Sequence, residues 1–416
     1  MLLPMLSDPG VWEKFYDYKA GLCCPTSFLK DLGAFIGARG YLPVCQKIEN
    51  GERFPLPVRK EIAKLSTGKK RVVYTYPFAE NTVLKLLTYL LLRAYDGVFD
   101  RGLYSFRPGR TAKDAVERLV RVKEIETMYA YKADVSNYFN SIPVPKLLEK
   151  LAPILRDDPP LLAFLTGLLT EENVLWKGKP VKEPKGIMAG TPLSAFFANV
   201  YLSDLDAELS ADGLPWARYS DDIILFAPTE EALKLRADLL RARLVSLGLT
   251  LNPEKEDFFT PETGFVFLGF FVKGKEIDLA PASVKKMKGK MRRKSRALLR
   301  WADRVEAGNE NAAKAFIRAF NRKLFGAEDD RELTWSFWFF PLLTTDRSLR
   351  EIDRYAEDCL RYILSGKRTK GRFKVRYEDL KALGFKSLVH EYHKFKEEAE
   401  KRKAAKADGI NPPVLR

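Results

Sequence analysis

The chain has 416 residues, 46% hydrophobic and 30% charged, enough apolar material for a folded protein of two or three domains. No run of eighteen apolar residues occurs, which excludes a spanning helix, and four Cys with two His form no Cys-x-x-Cys, disulfide framework or zinc finger. Lys and Arg outnumber Asp and Glu by 71 to 55, a formal charge of +16 that suits a polyanionic partner. Met1-Leu2-Leu3-Pro4 lacks the charged start of a secretory signal, so the chain is expected in the cytoplasm.

Residues 1–60 read as a helical N-terminal extension. Pro57 suits a first helical turn and predicts a helix over 57–65. A basic turn at Lys69 and Lys70 leads into Arg71-Val-Val-Tyr-Thr-Tyr76, a predicted strand that Pro77 ends. Apolar residues recur at helical spacing over 81–99, and Thr111 is a good N-cap for a helix to about Lys123. Residues 128–135 predict a strand that ends on an acid, and 147–155 and 161–169 predict helices. Residues 192–209 predict one buried helix. Residues 217–226 read as strand, turn, strand, and 230–247 as an amphipathic helix closed by Gly248. A further strand is predicted over 265–272. After Pro281 the composition turns basic and helical, with Lys285, Lys286, Lys288, Lys290, Arg292, Arg293, Lys294, Arg296 and Arg300 uninterrupted by any acid. The domain boundary is placed at 278/279.

The strongest chemical signal is Tyr219-Ser220-Asp221-Asp222 between two hydrophobic strands. Adjacent carboxylates in a tight hairpin repel, and a divalent cation is their natural counter-charge. A lone Asp-Asp turn is more often plain surface. A second strand ending in Asp134, followed by Val135 and Ser136, changes the balance, although Asp134 alone also reads as a turn residue or helix N-cap. Two-metal phosphoryl transfer needs carboxylates from separate strands converging on ions about 3.5–4 Å apart, and magnesium takes such oxygen ligands together with substrate phosphates.

The order and spacing of these segments resemble bacterial reverse transcriptases of the group II intron, retron and diversity-generating lineage. Tyr104-Ser-Phe-Arg-Pro-Gly-Arg-Thr111 is similar to the segment that follows their fingers. Ala133-Asp134-Val-Ser-Asn-Tyr-Phe139 resembles their first catalytic motif. Lys185-Gly-Ile-Met-Ala-Gly-Thr-Pro-Leu-Ser194 with Ala198-Asn199-Val-Tyr-Leu202 resembles the next block. The Tyr-Ser-Asp-Asp box, Gly248-Leu-Thr-Leu-Asn-Pro-Glu-Lys255 and Phe267-Leu-Gly-Phe270 complete six motifs over about half of the chain. Group II intron enzymes carry Pro-Gln where Met188-Ala189 stands, and diversity-generating enzymes carry Ser-Gln where Ser194-Ala195 stands. No Asn-Ala-x-x-His segment of the retron type and no Cys/His-rich nuclease segment is found. The variant resembles most the stand-alone, defence-associated enzymes.

The resemblance implies an α+β right-hand polymerase: a helical extension over 1–60, fingers and palm with an antiparallel sheet over 61–278, and an α-helical thumb and tail over 279–416. It implies RNA-directed DNA synthesis with two Mg2+ ions (Mn2+ as a substitute) on Asp134, Val135, Asp221 and Asp222. Lys69, Lys70 and Arg71 would hold the triphosphate, as guanidinium forks and ammonium point charges do. Ser136, Tyr138, Phe139 and Lys255 would contact the nucleotide. Phe139 would exclude a 2′-hydroxyl and so select dNTPs, though it also reads as a core aromatic, and Lys255 would meet the leaving pyrophosphate, though Asn-Pro-Glu-Lys is also a plain turn. Arg107, Arg110, Ser194, Asn199 and Tyr219 would face template and primer. Lys285, Lys286, Arg292 and Arg293 would grip the backbone, with a solvated helix face as the alternative. The expected partners are an RNA template, in particular a structured noncoding RNA, and the DNA product, in antiviral defence. An untemplated or protein-primed DNA polymerase and an RNA-binding maturase-like factor remain alternatives.

Overall fold

The computed structural model describes residues 1–22, 24–63, 70–326, 334–367 and 369–407. Two compact units divide the chain: Met1–Leu22 with Ser27–Thr263, and Gly264–Arg416 with Cys23–Thr26. The division falls ahead of the expected 278/279, because the hairpin strands after Thr263 group with the C-terminal helices. Among the described residues no helix is long and apolar enough to cross a membrane.

The first unit contains two sheets. One orders β2 (Lys70–Thr75), β1 (Val58–Ala63), β4 (Asn173–Trp176) and β5 (Lys179–Lys182). The other orders β6 (Trp216–Tyr219), β7 (Asp222–Ala227), β3 (Tyr129–Asp134) and β8 (Asp257–Phe259), all antiparallel. Val58–Ala63 is therefore a strand and not part of the helix predicted over 57–65, of which residues 64 and 65 lie outside the described residues. Six residues of β1 pair with β2, from Val58↔Thr75 to Ala63↔Lys70, and Lys70 Nζ reaches Glu61 at 2.7 Å across the pair. Pairing with the neighbouring strand outweighs a local N-terminal helix signal.

Buried apolar side chains from the N-terminal helices Pro9–Ala20, Thr26–Gly37 and Leu42–Glu49 share one core with the β3 and β7 strands; Trp12, Phe15, Leu32 and Tyr41 belong to it alongside Tyr131, Ala133, Ile223 and Leu225. Residues 1–22 and 27–49 are thus built into the first unit. Helix Phe78–Ala94 buries Val83, Leu84, Leu86, Leu87 and Leu91. Helix Ala112–Val120 starts from Thr111 in a capping box with Asp114. The single helix expected over 192–209 is two, Ser194–Tyr201 and Ser203–Ala211. Leu202 separates them at φ −103°, ψ 10°, a break that apolar periodicity does not register.

The second unit opens with β9 (Phe265–Phe267), β10 (Phe270–Lys273) and β11 (Glu276–Leu279) in the order β11-β10-β9. The strand predicted over 265–272 is a hairpin, turned by Leu268 and Gly269 at φ +49° and +89°. Positive φ at both central residues is the tight-hairpin geometry. Leu268 hides it in an apolar run. Helices Pro281–Arg304, Gly308–Phe325, Arg347–Ser365 and Leu388–Ala407 follow, and the first three pack on one another.

Candidate active site

Asp134 is the last residue of β3 and Asp222 the first of β7, and the two are direct register partners. Residues opposite one another in an antiparallel pair project to the same face. The Val135 N–H donates to the Asp221 carbonyl at 3.1 Å, the Ser136 N–H to Thr250 O at 2.8 Å, and the Asn252 N–H to Asp134 O at 2.9 Å. The segment after β3 is thereby held between the β6–β7 turn and the 248–255 loop. Asp134 and Asp222 thus face each other across two strands, with Asp221 in the turn beside them.

Their electrostatics are those of a cluster short of positive charge. Burial, then the Asp134 charge, pushes the Asp221 carboxyl above its ordinary range. Asp222 is pushed up to about 6, chiefly by burial, with Asp221 and Asp134 adding to the rise and Lys132 opposing it. Lys255 Nζ lies 2.7 Å from Asp134 Oδ2. Among the described residues no three His, Cys, Asp or Glu side chains converge into a ready-made metal cage. The donor set nevertheless fits a hard cation: the acids offer only oxygens, and two of them are held protonation-prone first by burial and then by one another's charge, which a cation would offset.

The turn itself is pinned from below. Ser220 adopts φ +62°, and its N–H donates to Ser105 Oγ at 2.9 Å. Ser105 Oγ donates to Asn199 Oδ1 at 3.2 Å, and Asn199 Nδ2 donates to Ser105 O at 2.9 Å. Arg218 is fully buried against Asp206, with Nε 2.7 Å from Oδ1. Its Nη1 donates to Ser220 O at 3.3 Å. Ser105, Asp206 and Arg218 escaped the sequence reading, and only the invariable expense of burying an acid near an arginine could have suggested the pair.

Several expected contacts are corrected by this geometry. Asn199 is buried and holds Ser105, so it faces the core instead of a template. Ser194 Oγ is buried and donates to Thr191 O at 2.7 Å. Tyr138 is buried with its hydroxyl on Ala198 O at 2.6 Å, which turns it away from any nucleotide. Arg107 is buried, with Nε 2.7 Å and Nη2 2.9 Å from the Asp96 carboxylate. Arg110 donates to Arg101 O at 2.8 Å. Both arginines brace the 96–110 loop, because a guanidinium offers enough donors to satisfy several inward carbonyls at once.

Phe139 is half-buried, its ring centroid 6.4 Å from that of Phe106. Loop 185–190 lies directly on it: the Ile187 N–H donates to Phe139 O at 2.9 Å. Gly186 stands at φ +51°, where a Cβ would meet Phe139 O at 2.6 Å. Asn140 then ties three segments together, accepting from the Ala189 N–H at 3.1 Å and donating to Val72 O at 3.3 Å. Met188, at φ +59°, accepts the Tyr76 hydroxyl on its sulfur at 3.5 Å. Ser136 and Tyr219 are half-buried beside the acids, Lys70 and Arg71 are exposed on β2, and Lys69 lies outside the described residues.

In the second unit, helix Pro281–Arg304 buries Val284, Met287, Met291, Ser295, Leu298 and Ala302 on one face. Lys285, Lys286, Arg292 and Arg293 are exposed. Lys288 pairs with Glu351. Burial, followed by the like charges of Lys323 and Lys286, pushes the Lys290 ammonium below its usual value.

A profile of the family described as reverse transcriptase (RNA-dependent DNA polymerase) matches residues 59–272, just over half of the chain. A protein described as an uncharacterized 91 kDa protein in the cob intron of Schizosaccharomyces pombe is 26% identical over 39% of this chain and 20% of its own length. The group II intron-encoded protein LtrA of Lactococcus lactis subsp. cremoris is 24% identical over 39% of this chain and 27% of its own. The chain therefore covers only a fifth to just over a quarter of the length of these curated relatives. Among solved structures, apo telomerase from Candida tropicalis aligns with a TM-score of 0.45 at 14% identity, over 80% of this chain and 69% of its own.

Proposed function

The chain belongs to the reverse transcriptase family, and from that premise we propose that it copies an RNA template into DNA by adding deoxynucleotides to a 3′-hydroxyl. The observation that carries the reading is the register pair Asp134↔Asp222 with Asp221 beside it. The side chains of Asp134, Asp221 and Asp222 and the carbonyl of Val135 would hold Mg2+, with Mn2+ as a substitute. When bound, such ions supply the Lewis acidity that activates the attacking hydroxyl and stabilises the leaving pyrophosphate. Lys255, whose ammonium pairs with Asp134, would meet a phosphate. Phe139, seated on Gly186 and facing Phe106, would close the space beneath a sugar 2′-position. Exposed Lys70 and Arg71 suit a triphosphate. The basic face of helix Pro281–Arg304 suits a nucleic-acid backbone.

The finer reading is that the template is a dedicated, structured noncoding RNA and that synthesis serves defence against phage. The +16 charge supports an extensive RNA contact, and the Met188-Ala189 and Ser194-Ala195 variants support a lineage apart from the intron and diversity-generating enzymes. Primer extension with Mg2+ tests the activity: Asp221→Asn and Asp222→Asn should each reduce incorporation by about a hundred- to a thousandfold, the range seen when a principal electrostatic group is removed. Retained synthesis would refute the assignment. Sequencing of RNA and cDNA that copurify with the chain from its native cells tests the template; a random RNA population would reject a dedicated one.

A further inference from the structure

In the first unit, a cavity of about 320 Å³ lies between helix Pro9–Ala20, helix Phe78–Ala94 and the loop that carries Phe106. Its polar lining is cationic: Lys19, Lys85, Arg93 and Arg107 contribute to it, and no carboxylate does. Arg107 is answered by Asp96. Arg93 is held differently. Its guanidinium lies 3.7 Å from the ring centroid of Tyr89 and 4.4 Å from that of Tyr18, and Nη1 donates to Tyr89 O at 3.2 Å. Among the described residues it has no ion-pair partner. The two tyrosine rings, 4.9 Å apart, hold the guanidinium, and Arg93 remains exposed.

The lining also includes Phe106, a bulky residue in the left-handed region at φ +58°. L residues of this kind rarely adopt that conformation. The strain presents an aromatic side chain that is 39% exposed, at the other end of the contact with Phe139. A preorganised guanidinium, two lysines and an exposed ring around a space of this size match what a single nucleotide offers: one phosphate and one base face.

We propose that this cavity seats one nucleotide of a single nucleic-acid strand, its phosphate on Arg93 with Lys19 and Lys85, and its base against Phe106. The assignment deepens the polymerase reading by naming a strand contact outside the carboxylate cluster. Because Phe106 also packs toward Phe139, strand occupancy there would steady the wall of the nucleotide site.

The test is fluorescence anisotropy of labelled U12 and dT12 on the full chain, across a salt series, with Arg93→Ala, Arg93→Lys and Phe106→Ala. Arg93→Ala and Phe106→Ala should each weaken binding of one or both oligomers by roughly tenfold. Arg93→Ala should also flatten the salt dependence by about 0.7 units of slope, the value for one phosphate contact on a single strand. Arg93→Lys should restore the slope but only part of the affinity, since the charge returns without the fork. Thermal melts select variants that fold, and Arg93→Lys serves if the alanine variant does not. Unchanged affinity and slope for both oligomers in folded variants would overturn the proposal, whatever the chain does in primer extension. Weakened binding in a chain that adds no nucleotides would uphold the site and remove the polymerase reading instead.

Discussion

Two acidic centres share the β6–β7 hairpin, and the protein treats them in opposite ways. Asp206 is fully buried and meets Arg218 through two guanidinium nitrogens, an intramolecular counter-charge at short range. Asp134, Asp221 and Asp222 gather at the hairpin's tip and the end of β3, with Lys255 on Asp134 and Lys132 acting on Asp222. The first centre is complete within the chain and holds the strand in place. The second is left short of positive charge, at a cost that burial shows in the raised Asp221 and Asp222. Carboxylates that a fold neutralises are scaffold; carboxylates that it gathers and leaves charged await something from outside.

The sharpest way to break this contrast is Asp206→Ala. It leaves Arg218 charged and buried, and chemical denaturation should show a loss of about 3–5 kcal/mol. Replacing Asp206 and Arg218 together with Leu and Met should recover most of that loss, as hydrophobic replacement of buried pairs does. If the single variant is as stable as the parent, the pair is not the scaffold described.

Ser105→Ala should cost about 1–3 kcal/mol, because the Ser220 N–H and Asn199 amide lose a buried partner. Nucleotide addition should fall further than stability alone explains, since the Asp221 turn loses its support. Equal activity per folded molecule would place Ser105 in the scaffold alone.

Asp222→Asn should move stability in the other direction. Asp222 titrates near 6 in the folded chain against an ordinary 3.8, so the native state favours its protonated form. The folded chain without divalent metal should therefore lose stability as pH rises from about 4 through 6. Asn removes that dependence and should stabilise the chain at pH 7 by about 1–2 kcal/mol. Denaturation at pH 4.5 and pH 7 with a chelator measures both; a parent that is more stable at the higher pH, with no gain from Asn, would contradict it. The smallest effect on stability belongs to Lys285, Lys286, Arg292 and Arg293. Neutralising all four should leave the melting temperature nearly unchanged and flatten the salt dependence of duplex binding by about 0.7–0.9 units per lost phosphate contact.

Much of the candidate site was legible because its signals are local. An acid that ends a hydrophobic strand, and two adjacent acids where a tight turn meets the next strand, break a pattern that the eye can follow. The capping box at Thr111, the glycine close at Gly248 and the basic face of 281–304 are of the same kind. The fingers strand β1 was misread because its pairing partner decides its conformation. Tyr138 and Phe139 are adjacent in a short helix, and only packing determines which ring is buried against Ala198 and which stays beside Gly186. Arg107 and Arg110 look like nucleic-acid residues until Asp96 and the Arg101 carbonyl are seen beneath them.

The sequence by itself determined the acids, their strands, the basic helix and the family, since each depends on residue type and short spacing. Only the tertiary structure decided which polar groups face outward. Asn199 lies 94 positions from Ser105, and Ser105 115 from Ser220, so no periodicity connects them. The same holds for Tyr18 and Arg93, brought together from separate helices. A buried polar group must find a partner wherever the fold brings one, and that partner is a property of packing in three dimensions.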